Sequence, residues 1–431
     1  MASSFVIAAP HSGSGKTTIT LGLLRALHNK GKKVQPFKVG PDYLDTTHHT
    51  IAAHHTSYNL DLFMSTEEHV KSTYQTHQST SDVAITEGVM GLFDGAKKMQ
   101  GSTAAVAELL DQPIVLVMSG KAMAYSAAPL LYGLKNFYKN IKVVGVIFNF
   151  VKTESHYQFL KEAAIDAGVT PLGYIPPNEE IQISSRHLGL SIDQKTDFDT
   201  LANSAAEHIS KHLDLEKLLE ITQCSTPSQI HSPQPKNEKK EQVIAVAKDE
   251  AFNFIYPANI AQLSENYQVV YFSPIHDKKL PKADAIYIAG GYPELFLDSL
   301  SQNIEMKQEI RHFIEQEGKV FAECGGMMYL GEEIITKEGK HYQMCGIFPY
   351  STTMQKMKLH LGYRDITYNK TKIRGHEFHY SQCIEHNQIT KVGEVYNARG
   401  GKVDTPIYQY KNCHATYIHL YWAHLKDLWV L

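Results

Sequence analysis

The sequence predicts an α/β protein of two successive domains, each built on a mostly parallel sheet covered by helices. Three observations predict it. Strand-like apolar runs alternate with helix-like stretches from the first residues, which requires crossover connections and parallel pairing. The alternation stops in a polar stretch with three prolines, 222–242, and then restarts. The chain has 431 residues, 43% hydrophobic and 20% charged, an ordinary globular composition with length for two or three domains.

Taken in order, Phe5–Ala9 reads as a buried strand. Thr17–His28 reads as a helix with Ile19, Leu23, Leu24 and Leu27 on one face. Val34–Val39, Asp82–Glu87, Pro113–Ser119 and Lys142–Phe150 read as further strands. Helical patterns over Thr103–Leu110, Ala122–Phe137 and Ser155–Ala167 separate several of them. The stretch Thr222–Gln242 has a linker composition. Beyond it Val243–Ala247, Val269–Phe272, Ala285–Ile288 and Lys319–Ala322 read as strands, with a helix over Asn303–Glu317. The expected division is 1–221, a linker 222–242, and 243–431.

Composition excludes several classes. A formal net charge of -3 gives no basic field for nucleic acid or an anionic membrane. No apolar run reaches the roughly 20 residues of a membrane span. The N-terminal stretch lacks a basic n-region, so no cleaved secretion signal is expected. Five cysteines do not make a disulfide framework, and Cys345, Cys383 and Cys413 lack zinc-site spacing. His48, His49, His54 and His55 cluster locally without a recognisable ligand set, and His49 is a candidate to line an active-site loop. A cytoplasmic protein with small-molecule substrates is expected, with neither nucleic acid nor membrane as partner.

Chemistry enters at Ala9–Thr18, APHSGSGKTT, between the first strand and the first helix. A glycine-rich loop there turns backbone N–H groups toward phosphate at a helix N-terminus. Gly13, Ser14, Gly15 and Thr18 belong to that loop. Lys16 can reach the β- and γ-phosphates of a nucleoside triphosphate, and the Thr17 hydroxyl can bind Mg²⁺. Pro10 stands where the strict pattern has its first glycine. KVGPDYLD (Lys38–Asp45) follows the second strand, and TEGVMGLFDG (Thr86–Gly95) the third. Asp42, Asp45, Glu87 and Asp94 are therefore expected on loops at the ligand-binding edge of the sheet. A Mg²⁺-bound triphosphate needs such carboxylates.

In the second half, VFAECGGMMYL (Val320–Leu330) reads as strand, sharp turn and helix, a nucleophile elbow with Cys324 at its tip. A helix N-terminus should lower the thiol pKa, and the Gly325 N–H can face an oxyanion. AGGYPELF (Ala289–Phe296) can supply a second donor through Gly291. The activating base is one of His360, His376, His379, His414, His419 and His424, which the pattern alone does not separate.

The set GSGKTT, KVGPDYLD, EGVMGLFDG, GGYPELF, AECGGMMYL, RGHEFHYS (Arg374–Ser381) and ATYIHLYWAH (Ala415–His424) resembles the cobyrinic acid a,c-diamide synthases. These are glutamine-dependent amidotransferases of cobalamin biosynthesis. The resemblance implies an N-terminal doubly wound P-loop domain similar to dethiobiotin synthetase and a C-terminal domain similar to class I, Triad-type glutaminases. It implies Lys16 and Lys38 on phosphate, and Asp45 and Glu87 as the Mg²⁺-linked acids. It places Asp42 and Asp94 at catalytic positions and Tyr43 and Leu44 on a substrate loop. Thr46 stands where many relatives have proline. The resemblance makes Cys324 the nucleophile and His419 its base. Most class I glutaminases carry a glutamate two residues after that histidine; here it is Tyr421, which leaves the orienting group unassigned. A homodimer is also implied. The substrates would be a corrin macrocycle, ATP and glutamine. Hydrogenobyrinic acid or a nickel-sirohydrochlorin would use the same catalytic residues. A P-loop scaffold ATPase with a non-catalytic glutaminase-like domain is the reading from another class.

Overall fold

The computed structural model describes residues 2–181, 197–224 and 240–425. These fall into two compact units, one up to residue 224 and one from residue 240. Residues 225–239 of the expected linker lie outside the described residues.

The first unit alternates strand and helix. In order come β1 (Ala2–Ala8), α1 (Lys16–Asn29), β2 (Val34–Val39), α2 (Tyr43–Ala53), β3 (Tyr58–Leu60), α3 (Glu67–Gln78) and β4 (Val83–Glu87). Then follow α4 (Thr103–Leu109), β5 (Pro113–Ser119), α5 (Ala127–Asn136), β6 (Lys142–Asn149), α6 (Glu154–Asp166), β7 (Thr170–Ile175), α7 (Phe198–His212), α8 (Leu215–Ile221) and β8 (Gln223–Cys224). The sheet runs β3-β2-β4-β1-β5-β6-β7, with β8 joined to β1. The path is parallel throughout, and only β8 is antiparallel. Side chains alternate between two faces along each strand. Phe5 and Ile7 pack with α1 and α7 on one face. Val6 and Ala8 pack with α5 and α6 on the other. Parallel pairing puts the loops after β1, β2 and β4 at one edge, which is how residues far apart in sequence meet.

Several expectations change. The first strand ends at Ala8, not Ala9. The helix expected from Ala122 starts at Ala127, after Ala122 takes a positive φ of 55°. The expected linker start at Thr222 belongs to the first unit, because Thr222 O accepts from Ser4 N and β8 pairs with β1. The expected loop around Asp42–Asp45 is a helix start. Asp42 caps α2 by accepting from Asp45 N at 2.9 Å. Tyr43, Leu44 and Asp45 form its first turn, so the expected substrate loop is helical. The hydroxyls of Thr46, Thr47 and Thr50 donate to carbonyls three or four residues back, which seats these poor helix formers inside the helix.

The second unit opens with β9 (Val243–Ala247), α9 (Pro257–Asn266), β10 (Gln268–Phe272) and β11 (Ala285–Ile288). It continues with α10 (Leu297–Gln302), α11 (Ile304–Glu315), β12 (Lys319–Glu323) and α12 (Gly325–Leu330). β10, β9, β11 and β12 are parallel in that order, and β12 also pairs parallel with Cys413–Thr416. A second sheet pairs His360–Tyr368 with Thr371–His379, and the latter with Ile418–Tyr421. Asn369 and Lys370 both take positive φ, 47° and 65°, and reverse the chain in a two-residue hairpin whose twist matches its strands. Ile366, Ile373, Ile418, Leu420 and Trp422 pack this sheet onto Ile244, Val246 and Tyr287.

Candidate active sites

The first site grows from the loop between β1 and α1. Gly13 and Gly15 have φ of 80° and 88°, open to glycine at little cost. A Cβ on Gly15 would strike the Asn149 side chain, whose amide donates to Ser14 O at 3.0 Å. No side chain caps α1 and its first turn carries no acid, and its first residues line a cavity of about 810 Å³. That volume is ordinary for a small-molecule site. Gly13, Gly15, Lys16, Thr17, Thr18 and Lys38 line it. Buried Ser14 fastens the loop, its hydroxyl donating to His11 O.

Opposite the loop, four residues form a compact charge cluster. Lys38 Nζ lies 2.6 Å from Asp45 Oδ2 and 2.8 Å from Glu87 Oε1. Thr17 Oγ1 donates to Glu87 Oε1 at 2.9 Å and lies 3.5 Å from Asp45 Oδ2. His49 Nε2 lies 2.7 Å from Glu87 Oε2. Burial alone would lower Lys38, but Asp45 and Glu87 outweigh it and hold its pKa above the usual range. Burial opposes ionisation of Glu87, yet Lys38 and then His49 hold it well below the usual carboxylate range. Lys16 is lowered by burial, partly offset by Glu87; its Nζ now donates to Met90 O at 2.7 Å.

The donor set suits a hard cation. Thr17, Asp45 and Glu87 offer only oxygens, and the 2.9 Å between Thr17 Oγ1 and Glu87 Oε1 fits neighbouring ligands at about 2.1 Å from Mg²⁺ in an octahedron. Asp42 also lines the cavity, although one of its oxygens caps α2. Asp94 is exposed and accepts from Gly91 N at 3.0 Å. It acts on Lys16 through charge but is not among the cavity's lining residues. Tyr43 is buried and Leu44 half-buried, and neither lines the cavity.

The second site lies at the end of β12. Cys324 occupies φ 44°, ψ −103° between strand and helix, a strained conformation held by its N–H donating to Thr416 O at 2.7 Å. A Cβ on Gly325 would lie 3.0 Å from Gly291 N, so the two expected oxyanion donors lie side by side. The expected low thiol pKa is overturned. Burial pushes the thiol up, and Glu294 and Glu323 push it further. The six-residue helix behind Cys324 is too short to compensate.

His419 is buried on Ile418–Tyr421. A Cβ on Gly290 would strike its ring, so it borders the loop that carries Gly291. Burial, then His376 and His379, hold its pKa well below the usual value, leaving a neutral imidazole. Among the other candidates, His379 has both nitrogens engaged, by Glu377 Oε1 at 2.8 Å and Ser381 O at 2.9 Å. His360, Glu377 and His379 lie close enough to share an ion, but Glu377 is already satisfied by Arg364 at 2.6 Å, Thr405 and His379. Sequence reading brought Lys38, Asp45 and Glu87 to one edge and offered His49 for the same loop; it missed Glu323 and Glu377, and the direct contact of His49 with Glu87.

A thiol raised in this way should react slowly at rest. Iodoacetamide is expected to alkylate Cys324 about tenfold or more slowly than free cysteine at neutral pH, and faster as pH rises. Rapid alkylation that is flat with pH near neutrality would instead reveal a resting thiolate.

Comparison with known proteins agrees with this division of chemistry. A model described as CobQ/CobB/MinD/ParA nucleotide binding domain matches residues 5–190. One described as CobB/CobQ-like glutamine amidotransferase domain matches 243–426. A cobyrinate a,c-diamide synthase of Caldanaerobacter subterraneus subsp. tengcongensis is 38% identical, covering 96% of this chain and 94% of its own. That of Streptococcus sanguinis is 38% identical over 98% and 97%. That of Clostridium acetobutylicum is 40% identical over 97% and 97%.

Proposed function

The chain belongs to the cobyrinate a,c-diamide synthase family, and from that premise we propose that it converts the a and c carboxylates of cobyrinate to amides, using ATP and glutamine. The observation that carries the reading is the presence in one chain of two complementary sites. One gathers Lys16, Thr17, Lys38, Asp45 and Glu87 around a phosphate loop. The other sets Cys324 on a strained elbow beside two glycine N–H groups. We assign the first to the unit that runs to residue 224 and the second to residues 243–431.

A carboxylate does not exchange its oxygen for ammonia in water, because oxide is the leaving group. In the first site a carboxylate oxygen of the substrate attacks the γ-phosphorus of ATP; the bond to the β-phosphate oxygen breaks and ADP leaves. Lys16, released from Met90 O, moves onto the β- and γ-phosphates. Lys38 keeps Asp45 and Glu87 ionised and in place. Mg²⁺, held by Thr17, Asp45 and Glu87, would offset charge on the phosphate oxygens when bound. Ammonia attacks the acyl carbon, phosphate departs with the carboxyl oxygen, and an amide remains.

In the second site His419 takes the thiol proton and Cys324 Sγ attacks the glutamine carboxamide carbon. Gly291 and Gly325 N–H groups face the oxyanion. The proton passes to the leaving ammonia, and water hydrolyses the thioester to glutamate. Cytoplasmic location and a homodimer are part of this proposal. Among the described residues no helix is long and apolar enough to cross a membrane.

Mass spectrometry of cobyrinate incubated with MgATP and glutamine tests the substrate. The expected product has lost two carboxylate charges and about two mass units. A single step would mean amidation at one site. An unchanged macrocycle with intact glutamine hydrolysis would reject cobyrinate, and hydrogenobyrinic acid and nickel-sirohydrochlorin would be tried in its place.

A further inference from the structure

Assigning Cys324 and His419 as nucleophile and base leaves one place in that chemistry unfilled. An imidazole that takes a thiol proton needs a partner on its other nitrogen, to fix its tautomer and face the imidazolium that forms. We infer that Glu323, the residue before the nucleophile, is the positioning residue for His419.

Glu323 is fully buried at the end of β12. Its Oε2 lies 4.0 Å from His419 Nδ1, and a shift of about 1 Å would close this to a hydrogen bond. Two clamps hold the carboxyl. Its Oε1 accepts from Leu420 N at 2.8 Å, one residue past His419, which ties it to the strand that carries the imidazole. Its Oε2 accepts from the Tyr287 hydroxyl at 2.7 Å, on the neighbouring β11. Among the described residues Glu323 pairs with no lysine or arginine; His419 is the group within ion-pair range. A buried carboxyl without a cation is costly, and burial raises its pKa to about 8. An imidazolium forming at His419 would supply the missing charge.

Other described groups near His419 have contacts of their own. His376 stacks on its face at 5.0 Å and directs its own Nδ1 to the Tyr256 hydroxyl. Glu377 is engaged by His379, Arg364 and Thr405. Tyr421 packs edge-on against Tyr256. With Nδ1 turned to Glu323, Nε2 is the nitrogen that receives the proton from Cys324 Sγ. One short segment then carries both the nucleophile and the group that aims its base.

The inference rests on His419 being the base, so two variants of the full chain separate the claims. His419→Ala tests the base and should lose glutamine hydrolysis by about a thousandfold or more; full turnover would remove His419 from the site. Glu323→Gln tests the inference. Its kcat for glutamine should fall about 100-fold with KM within about threefold and ammonia-driven amidation unchanged, while Cys324 alkylation is not slowed, because the lost carboxylate had raised the thiol. Tyr287→Phe, which removes one clamp, should lower kcat about tenfold. Wild-type kcat in Glu323→Gln, or a loss carried by KM alone, overturns the inference. Should Glu323→Gln also lose ammonia-driven amidation, Tyr287→Phe decides: unchanged kcat overturns the inference, and a loss confined to glutamine upholds it.

Discussion

Replacing Cys324 with alanine is expected to lower glutamine-driven amidation by about 10⁴-fold or more while leaving amidation from ammonium salts intact. The thiol supplies the only bond that Cys324 makes during glutamine hydrolysis, and nothing in the phosphate site depends on it. Folding should survive. Alanine has the same Cβ and suffers the same strain at φ 44°, and the N–H donated to Thr416 O is kept. Among the described residues the thiol makes a weak polar contact, 4.0 Å to Phe378 O, so losing the buried sulfur should cost about 1 kcal/mol. The measurement is amide formation with glutamine and with ammonium chloride in parallel. Equal loss with both nitrogen sources would mean that the two halves do not divide the work as proposed.

How much of this was legible in sequence depends on distance along the chain. The phosphate loop and the elbow each lie within about ten residues, with glycine spacing that states its own geometry. Strands β5 and β1 from Phe5 onward were legible as apolar runs buried on both faces, and β2 and β4 as shorter buried runs that also carry Gln35, Lys38, Thr86 and Glu87. Helix α2 was hidden. Its threonines and histidines show little apolar periodicity, and it is held by a cap and side-chain back-bonds instead. The hairpin carrying His360 and His379 was hidden too, since its turn is Asn369-Lys370 rather than a glycine pair. Least legible were pairs made by sheet topology. Leu420 N reaches Glu323 Oε1 because Cys413–Thr416 runs beside β12 and the chain then turns into Ile418–Tyr421. The thiol's direction of shift failed for a related reason, since burial is a property of the assembled unit and not of the elbow.

The second large effect lies in the phosphate site. Asp45→Asn is expected to cut ADP formation and amidation about 100- to 1000-fold with either nitrogen source, while glutamine hydrolysis at Cys324 continues. The substitution keeps the shape and removes one charge from a cluster in which Lys38 is shared by two carboxylates. With Asp45 neutral, Lys38 settles wholly on Glu87, and one of the three oxygens suited to Mg²⁺ loses its charge. Raising the Mg²⁺ concentration should restore part of the activity if Asp45 acts on the metal, and none if it acts only by holding Lys38. Stability should fall modestly, by about 1–3 kcal/mol, because Glu87 still balances the buried ammonium and a complete break of the pair is avoided. Asp42→Asn is the control for charge at the same helix start. Asparagine caps α2 about as well as aspartate, so a loss there would report chemistry rather than a frayed helix. Normal ATP turnover in Asp45→Asn would remove Asp45 from the site and leave Glu87 and Thr17 to hold the phosphate's counter-ion.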